Sequence, residues 1–345
     1  MKRITLTVVL TVFLSCFFAP SAYSWIFIDP TGVPGLDIRG LLDTVRQIDD
    51  VITKNFKNYP AAFALSNVGG YPIGDAYIGN FPHMFFGVSM TIGCANMKYF
   101  DEDVRRETSV YPAYAPNPVL YLGLGLAGGF DLLIKAMVFS DAMYRPPLDQ
   151  ESATLSKFNI YSGGGKLRKN LIGPITVLPG LFGFGGFTVS AGADFMEGII
   201  GINGHYKYRL NNVFVNPPGA YYSLDFDAFY NFNCKWSMVA ANAQAIGYIN
   251  FLWVFDLYAG FGLAMTWGYT KLDASGLGTV SNPSLGSLGI IKAAAGYKYY
   301  PKFFMGLFIA GLEVNIWVLK VTAETMVNIS NGHDISLQLG TRVQF

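Results

Sequence analysis

The chain has 345 residues with 24 basic and 23 acidic side chains, so its charge is nearly balanced and offers no basic surface for nucleic acid. Charged residues make up 14% of the sequence, against about 25% in ordinary soluble domains, and aromatic residues make up 16%. This composition favours a membrane β-barrel over soluble domains, although a mean hydropathy of +0.33 is high for a barrel with a polar lumen.

The first 24 residues have the pattern of a signal peptide for export. Residues 1–3 (M-K-R) form a basic start, residues 4–18 form an apolar core, and residues 22–24 (A-Y-S) are an acceptable small-x-small cleavage site. An N-terminal membrane anchor is the weaker alternative, because the apolar run is short for a span of about 20 residues. Lipid attachment at Cys16 is a second alternative to simple cleavage.

Residues 25–82 precede the first predicted strand and contain one amphipathic helix. Between residues 36 and 56, apolar side chains recur every three or four positions with charged ones between them. The polar face carries mixed charge, so we predict a plug in a barrel lumen or a seal across its mouth in preference to a helix on an anionic membrane. Residues 59–82, rich in Gly, Pro and Tyr, are a candidate second part of the same plug.

Residues 83–345 alternate apolar and polar side chains with the period of two of a β-strand, which predicts a barrel. The predicted strands begin near residues 86, 120, 132, 158, 184, 222, 251, 291, 304 and 335. Residues 222–248 count as one crossing with a bulge near Ser237, because single-chain bacterial barrels have an even number of strands. The prediction is an antiparallel barrel of about ten strands, with twelve as the next alternative.

Alternating short turns and long loops follow from this count. Residues 300–302 (Y-P-K) are predicted to form a short turn between two strands. The predicted long loops are residues 97–118, 140–157, 210–221, 271–287 and 320–332.

A multi-pass helical protein is the alternative fold. Residues 171–193 and 236–255 carry no charged residue and are long enough to span a bilayer. The first run contains two prolines and six glycines, and the second contains Asn and Gln side chains, so both suit strands better than lipid-facing helices.

The last strand ends the chain at an aromatic residue. Its apolar face carries Phe345, Val343, Leu339 and Leu337, and the opposite face is polar or glycine. This signature resembles the closing strand of bacterial outer-membrane β-barrels, whose terminal aromatic and preceding alternate hydrophobic residues are read by the barrel-assembly machinery. The resemblance implies an outer-membrane location, contact with membrane lipid, and the assembly machinery as a partner during biogenesis.

Charged residues on the predicted inner face of the strands are candidates for the lumen, because a charge facing lipid would cost about 2–4 kcal/mol at the midplane. They are Asp131, Lys135, Asp225, Asp227, Asp256, Lys292, Lys298, Glu313 and Arg342. Two interpretations stay open: paired structural ions that fill a narrow lumen, or a polar path that selects permeants by charge. The same face carries apolar residues such as Phe229, Leu307 and Ile309, which suit an amphiphilic permeant.

Enzyme motifs are absent from the sequence. His83, His205 and His333 lack metal-ligand spacing and a serine partner. The glycine-rich runs lack the following helix and the Lys-Ser/Thr ending of a phosphate loop. Cys94 and Cys234 are interpreted as small apolar strand residues, with a disulfide as the alternative. We therefore expect no enzyme activity, no metal and no cofactor.

An N-terminal plug-like segment and a barrel with a partly apolar lumen are also similar in architecture to the FadL-type fatty-acid channels. The chain lacks the Asn-Pro-Ala element of that family and has fewer strands, so no binding residue is carried over. The predicted function is a porin-like channel or transporter for passive uptake of small molecules, including amphiphilic or hydrophobic ones. The alternative is a structural or adhesin-like barrel that displays its outer loops.

Overall fold

The computed structural model describes residues 24–29, 56–96, 112–140, 153–179, 181–215, 220–283 and 286–345. Residues 1–23 of the predicted signal peptide, and all but the last residue of the predicted helix at 36–56, lie outside these ranges. Within them, no helix is long and apolar enough to cross a membrane.

Across the described ranges the chain forms one α-helix and thirteen β-strands. The helix is α1 (Tyr59–Val68), and a 3-10 turn at Ala127–Gly129 joins two strands. The strands are β1 (Ser24–Asp29), β2 (Met84–Ala95), β3 (Ala113–Leu126), β4 (Phe130–Ser140), β5 (Ala153–Ile172), β6 (Ile175–Leu178), β7 (Phe182–Val215), β8 (Ala220–Phe251), β9 (Phe255–Asn282), β10 (Gly286–Tyr299), β11 (Phe304–Ile316), β12 (Leu319–Asn328) and β13 (Ile335–Gln344).

Ten of these strands close into an antiparallel ring, in the order β2, β3, β4, β5, β7, β8, β9, β11, β12, β13 and back to β2. The seam pairs the end of the chain with the start of β2. The Phe345 amide donates to the Met84 carbonyl at 2.9 Å, and the Met84 amide donates to the Phe345 carbonyl at 3.2 Å. The predicted antiparallel barrel of about ten strands is confirmed.

The outer surface of the ring is apolar. In β2, Phe86, Val88, Met90 and Ile92 are 38–52% exposed and alternate with buried residues of the inner face. On the same outer surface, the Trp267 ring of β9 packs edge-on against Phe303, with centroids 5.3 Å apart. An apolar band bordered by aromatic side chains is the surface that a bilayer solvates.

The two ends of the ring differ. At the short-turn end, three of the four connections between neighbouring strands have two or three residues, at 127–129, 252–254 and 317–318, and the fourth joins β5 to β7 through β6. The last residue of the chain lies at this same end. At the loop end, β2 passes to β3 and β4 passes to β5 through the longer stretches that include residues 97–111 and 141–152.

The link at residues 300–302 does not reverse the chain, which corrects the predicted turn. Both β10 and β11 run antiparallel to β9, β10 against residues 270–282 and β11 against residues 255–265. They are therefore two parts of one crossing. Proline at position 301 has no amide hydrogen to donate to a ladder, which suits a break between them.

The predicted loop at 320–332 contains most of strand β12, which pairs with β11 and β13. The sequence pattern does not predict a strand here, because Lys320, Thr322 and Glu324 on its inner face make the segment polar. Its outward residues Val321 and Ala323 keep the period of two. The false separation of β10 from β11 and the missed β12 cancel, so the predicted count of ten agrees with the ring.

Four strands continue beyond the ring at the loop end. β7 and β8 have 34 and 32 residues, about three times the roughly 9–11 that a tilted strand needs to cross a bilayer. Past Gly204, β7 pairs only with β8, while β9 past Tyr269 pairs with β8 and β10. This sheet, here called the extension, comprises residues 205–215, 220–235, 270–283 and 286–299, and replaces most of the loops predicted at 210–221 and 271–287.

Candidate functional site

The interior of the ring is filled by residues 56–82, here called the plug segment. Nine of the ten residues of α1 are buried, as expected of a helix that is apolar on every side and enclosed by protein. Pro60 lies in its first turn, where proline is tolerated, and the helix ends before Gly69. The Phe63 ring stacks on Trp236 of β8 with centroids 4.6 Å apart.

Two glycines of the wall let the plug backbone lie directly against the strands. A Cβ atom at Gly93 would stand 1.9 Å from the Ala62 carbonyl oxygen, and one at Gly125 would stand 1.9 Å from the Gly79 carbonyl oxygen. Any side chain at either position would displace the plug segment. Because Gly93 lies near the loop end of β2 and Gly125 near the short-turn end of β3, the plug segment runs along the length of the lumen.

The first group of interior charges surrounds the end of α1. Lys135 of β4 forms an ion pair with Asp194 of β7, with Nζ and Oδ1 3.0 Å apart, and both side chains are buried. The Lys135 ammonium also donates to the carbonyls of Asn67 and Gly69 in the plug segment. The Tyr71 hydroxyl donates to the same Asp194 oxygen at 3.0 Å, so the aromatic ring is held beside the pair.

The second group lies nearer the short-turn end. Arg168 of β5 forms an ion pair with Asp131 of β4, with Nη2 and Oδ2 2.7 Å apart. Its Nη1 donates to the Asp75 carbonyl of the plug segment at 2.6 Å. The guanidinium therefore binds one wall carboxylate and one plug carbonyl at once.

The third group joins β11, β12 and β13 to the plug segment. Arg342 pairs with Glu313 across the wall, with Nη2 and Oε1 2.8 Å apart, and its Nη2 also lies 3.0 Å from the Asp75 carboxylate. Lys320 reaches Asp75 at 2.5 Å. Glu313 in turn accepts the Gly74 amide at 2.9 Å, so the plug and the wall exchange hydrogen bonds in both directions.

Five of the predicted lumen residues lie in the interior. Asp131, Lys135, Asp256, Glu313 and Arg342 are each at most 1% exposed. Four of them belong to the three groups above, and Asp256 accepts hydrogen bonds from Asn250 and Asn315. The outward face of each of their strands is apolar, as the period of two requires.

Asp225, Asp227, Lys292 and Lys298 do not line the lumen, and their predicted position is corrected. β8 pairs with β9 without a register shift from Asp225 to Phe251, so the bulge predicted near Ser237 does not occur and the strand never exchanges its faces. Asp225 and Asp227 share the outer face with lipid-exposed Val239. Lys292 and Lys298 are exposed on the outer face of β10.

The polarity of the two faces inverts in the extension, which explains these errors. In the ring, the outer face of the strands contacts lipid. In the extension, the outer face contacts water and the inner face packs apolar side chains such as Phe232 and Cys234. Phe229, predicted inside, is 60% exposed and stacks on His205. The hydrogen bond from His205, with Lys207 nearby, holds the pKa of Asp227 below its ordinary value.

Other interior charges were not among the predicted residues. Lys166 and Arg168 alternate with outward Gly165 and Leu167, so strict counting along β5 would identify them. The remaining three are Asp194, Lys320 and Glu324, which lie on strand faces that the same period defines. Asp75 belongs to the plug segment, where no strand period applies.

Three carboxylates approach one another where Asp256 lies beside the third group. The nearest oxygens of Asp75, Asp256 and Glu313 lie within 4.8 Å of one another. Arg342 and Lys320 already neutralise Asp75 and Glu313, so the arrangement is that of a compensated ion-pair network.

Little free volume remains between the plug segment and the wall at this level. A cavity of about 20 Å³ lies between Tyr71, Arg168, Tyr248 and Glu324. That volume accommodates about one water molecule. This cavity has no room for a larger solute.

A closed antiparallel ring with an apolar outer belt, short turns at one end and an interior of paired charges defines a bacterial outer-membrane β-barrel. Residues 130–345 match the Lsa36-like family, and the chain belongs to that family. The matched region begins at β4 and includes every later strand of the ring. No curated protein matches the sequence.

Several solved structures are similar over most of the chain. The toluene transporter TbuX of Ralstonia pickettii is 8% identical over 85% of this chain and 99% of its own, with a TM-score of 0.24. The P. putida toluene transporter TodX is 9% identical over 84% and 99%, with a TM-score of 0.21. The β domain of the Bordetella autotransporter Brka is 10% identical over 76% and 99%, with a TM-score of 0.24. Similarities of this size assign no activity.

Proposed function

We propose that this protein is a plugged channel for small molecules, which pass when the plug segment moves. The observation that carries the proposal is the way in which the interior charges are paired. Lys135 pairs with Asp194, Arg168 with Asp131, and Arg342 with Glu313, and in each pair both partners belong to the wall. These pairs keep their charge compensation when the plug segment leaves.

The plug segment itself contributes mainly backbone groups to the polar contacts. Asp75 is its sole charged side chain between residues 58 and 82. The carbonyls of Asn67, Gly69 and Asp75 accept hydrogen bonds from wall cations, and water can replace each of these acceptors. Lys320 loses Asp75 when the plug segment leaves but stays 4.0 Å from Glu313, so this wall cation keeps an opposite charge nearby. A buried charge with no partner would be strongly unfavourable.

The wall around the plug segment suits an amphiphilic permeant. Charged groups lie on β4, β5, β11 and β13, whereas Leu307 and Ile309 on β11 and Leu133 on β4 supply buried apolar surface. A lumen of this kind offers both hydrogen bonds and apolar contact to a passing molecule.

Two truncations of the mature chain test the proposal in planar bilayers. Removing residues 25–55 leaves the plug segment in place, so we expect no conductance, as for the whole chain. Removing residues 25–80 empties the lumen and should produce steady single-channel conductance. Conductance after the first truncation would place the seal before residue 56, and silence after both would contradict a channel.

A second candidate function is interaction at the cell surface, and the extension favours it. The extension carries exposed aromatic and charged side chains, including Phe229, Lys207 and Lys292, far from the membrane belt. Shortening its hairpins to tight turns, by removing residues 206–228 and 276–293, should abolish binding of producing cells to a host-cell monolayer. Binding that is unchanged by these deletions would contradict the surface function.

A further inference from the structure

The short-turn end of the barrel carries an apolar hairpin whose described side chains are largely exposed. This turn-end lobe comprises residues 171–182, all described except residue 180, and includes β6 and the start of β7. Its exposed side chains are Leu171 55%, Ile172 47%, Ile175 55%, Val177 56%, Leu178 53%, Leu181 48% and Phe182 38%. All four residues of β6 are exposed, so both faces of this strand are open.

Two neighbouring turns extend the same surface. The Leu252 amide donates to the Leu181 carbonyl at 3.0 Å, which ties the β8–β9 turn to the turn-end lobe. Trp253 in that turn is 80% exposed, and Trp317 in the β11–β12 turn is 96% exposed. A barrel turn that lies in water is usually polar, so this composition indicates a different surrounding.

The turn-end lobe is continuous with the lipid-facing belt. Leu167 on β5 and Phe195 on β7 are 48% and 51% exposed on the outward faces of the two strands that the lobe connects. No charged residue occurs between Lys169 and Asp194, a stretch that includes the entire lobe.

We propose that the turn-end lobe, with Trp253 and Trp317, is a lipid anchor that lies within one leaflet instead of in water. Lipid is favoured over a protein partner because β6 exposes both faces. A partner protein would cover one face of the hairpin, whereas acyl chains surround both. Exposed tryptophans beside an apolar segment are placed as at a membrane interface, where their rings pack in apolar surroundings and their N–H groups remain hydrated.

Spin labels on the two faces of β6 test the anchor. The variants I175C and T176C, at adjacent positions in regular register with β7, place nitroxides on opposite faces, and S275C in the extension is the aqueous control. Native Cys94 and Cys234 are replaced by Ala, and the mature chain is refolded into phosphatidylcholine vesicles. We expect both lobe labels to relax faster with oxygen than with a water-soluble nickel chelate, and S275C to show the reverse.

Three results would overturn the proposal. Lobe labels that behave like S275C would place the hairpin in water. Oxygen preference on one face with protection from both reagents on the other would indicate a protein partner, including a second copy of the chain. Protection on both faces would indicate burial within protein. Loss of the heat-modifiable folded band identifies variants that failed to fold, and V177C, a further exposed position in β6, then replaces the failed label.

Discussion

At the scale of single residues, the interior of this barrel is held by buried charges that are compensated within the wall. Lys135 shows the arrangement most clearly, because its side chain is fully enclosed and contacts both Asp194 and the plug segment. Buried ion pairs add little net stability compared with apolar packing, but removing one partner leaves the other charge unpaired. Such residues are therefore sensitive to substitution even when they play no part in selectivity.

Replacing Lys135 with Met should lower the free energy of unfolding by about 3–5 kcal/mol, because Asp194 loses its cation. Urea unfolding of the refolded barrel measures this loss. Lys235→Met is the matched control, since Lys235 lies 3.9 Å from Glu197 and both side chains are about half exposed. Its cost should stay below about 1 kcal/mol. Equal effects of the two substitutions would contradict the buried pairing of Lys135.

At the scale of elements, the plug segment and the closing strand depend on backbone contacts more than on side chains. The plug segment lies against Gly93 and Gly125 at van der Waals distance from the wall backbone. Strand β13 completes the ring through its ladder with β2 and through the hydrogen bonds between Phe345 and Met84. A change in local backbone geometry should therefore disrupt the packing of the plug segment and the closure of the ring by β13.

Gly93→Ala should displace the plug segment, because the new Cβ atom has no space beside the Ala62 carbonyl. We expect a loss of about 1–3 kcal/mol in unfolding free energy from overpacking, together with the appearance of channel openings in bilayers. Gly165→Ala is the control, since the nearest atom to its added Cβ is the Leu133 carbonyl oxygen at 3.8 Å. A Gly93→Ala barrel with unchanged unfolding free energy and no channel openings would show that α1 does not pack against β2.

Phe345→Asp should block outer-membrane assembly. The Phe345 side chain is 67% exposed at the seam, on the apolar face of β13, where a carboxylate would face lipid. The heat-modifiable band on unboiled gels reports the folded fraction in membranes, and Phe345→Trp, which keeps the aromatic ring, should assemble normally. A folded Asp variant in normal amounts would contradict the assembly role of the terminal aromatic residue.

At the scale of the whole molecule, the chain consists of a closed ring and an extension with different solvents on their outer faces. The ring buries its polar face and shows apolar residues to lipid. The extension shows polar residues to water and packs an apolar inner face. The strands β7, β8 and β9 run through both parts without changing register over the boundary.

Shortening the extension should leave the ring folded, because the strand ends removed pair only with one another, with β1 and, at Gly276 and Leu277, with Tyr230 and Phe229 of the extension itself. We expect the barrel that lacks residues 206–228 and 276–293 to keep its heat-modifiable band and its urea midpoint in detergent. A large fall in the midpoint would show that the extension contributes to closure of the ring.

The sequence alone determined the barrel, the outward faces of the ring strands other than β12 and the position of the closing strand. A period of two is a local property, so the inward positions of Asp131, Lys135 and Arg342 follow from counting along each strand. The same local rule misplaced Asp225 and Lys292, because it contains no information on where the lipid ends and water begins.

Only the tertiary structure decided which segments share the lumen and how the charges pair. The pairing of Arg342 with Glu313 and Asp75 joins residues far apart in the chain, and no local pattern specifies it. The sequence between β10 and β11 predicts a turn, but β9 pairs with both strands, so they form one crossing. The plug segment was recognisable as irregular and glycine-rich, but its position followed from the space that the ring encloses, which is a property of ten strands together.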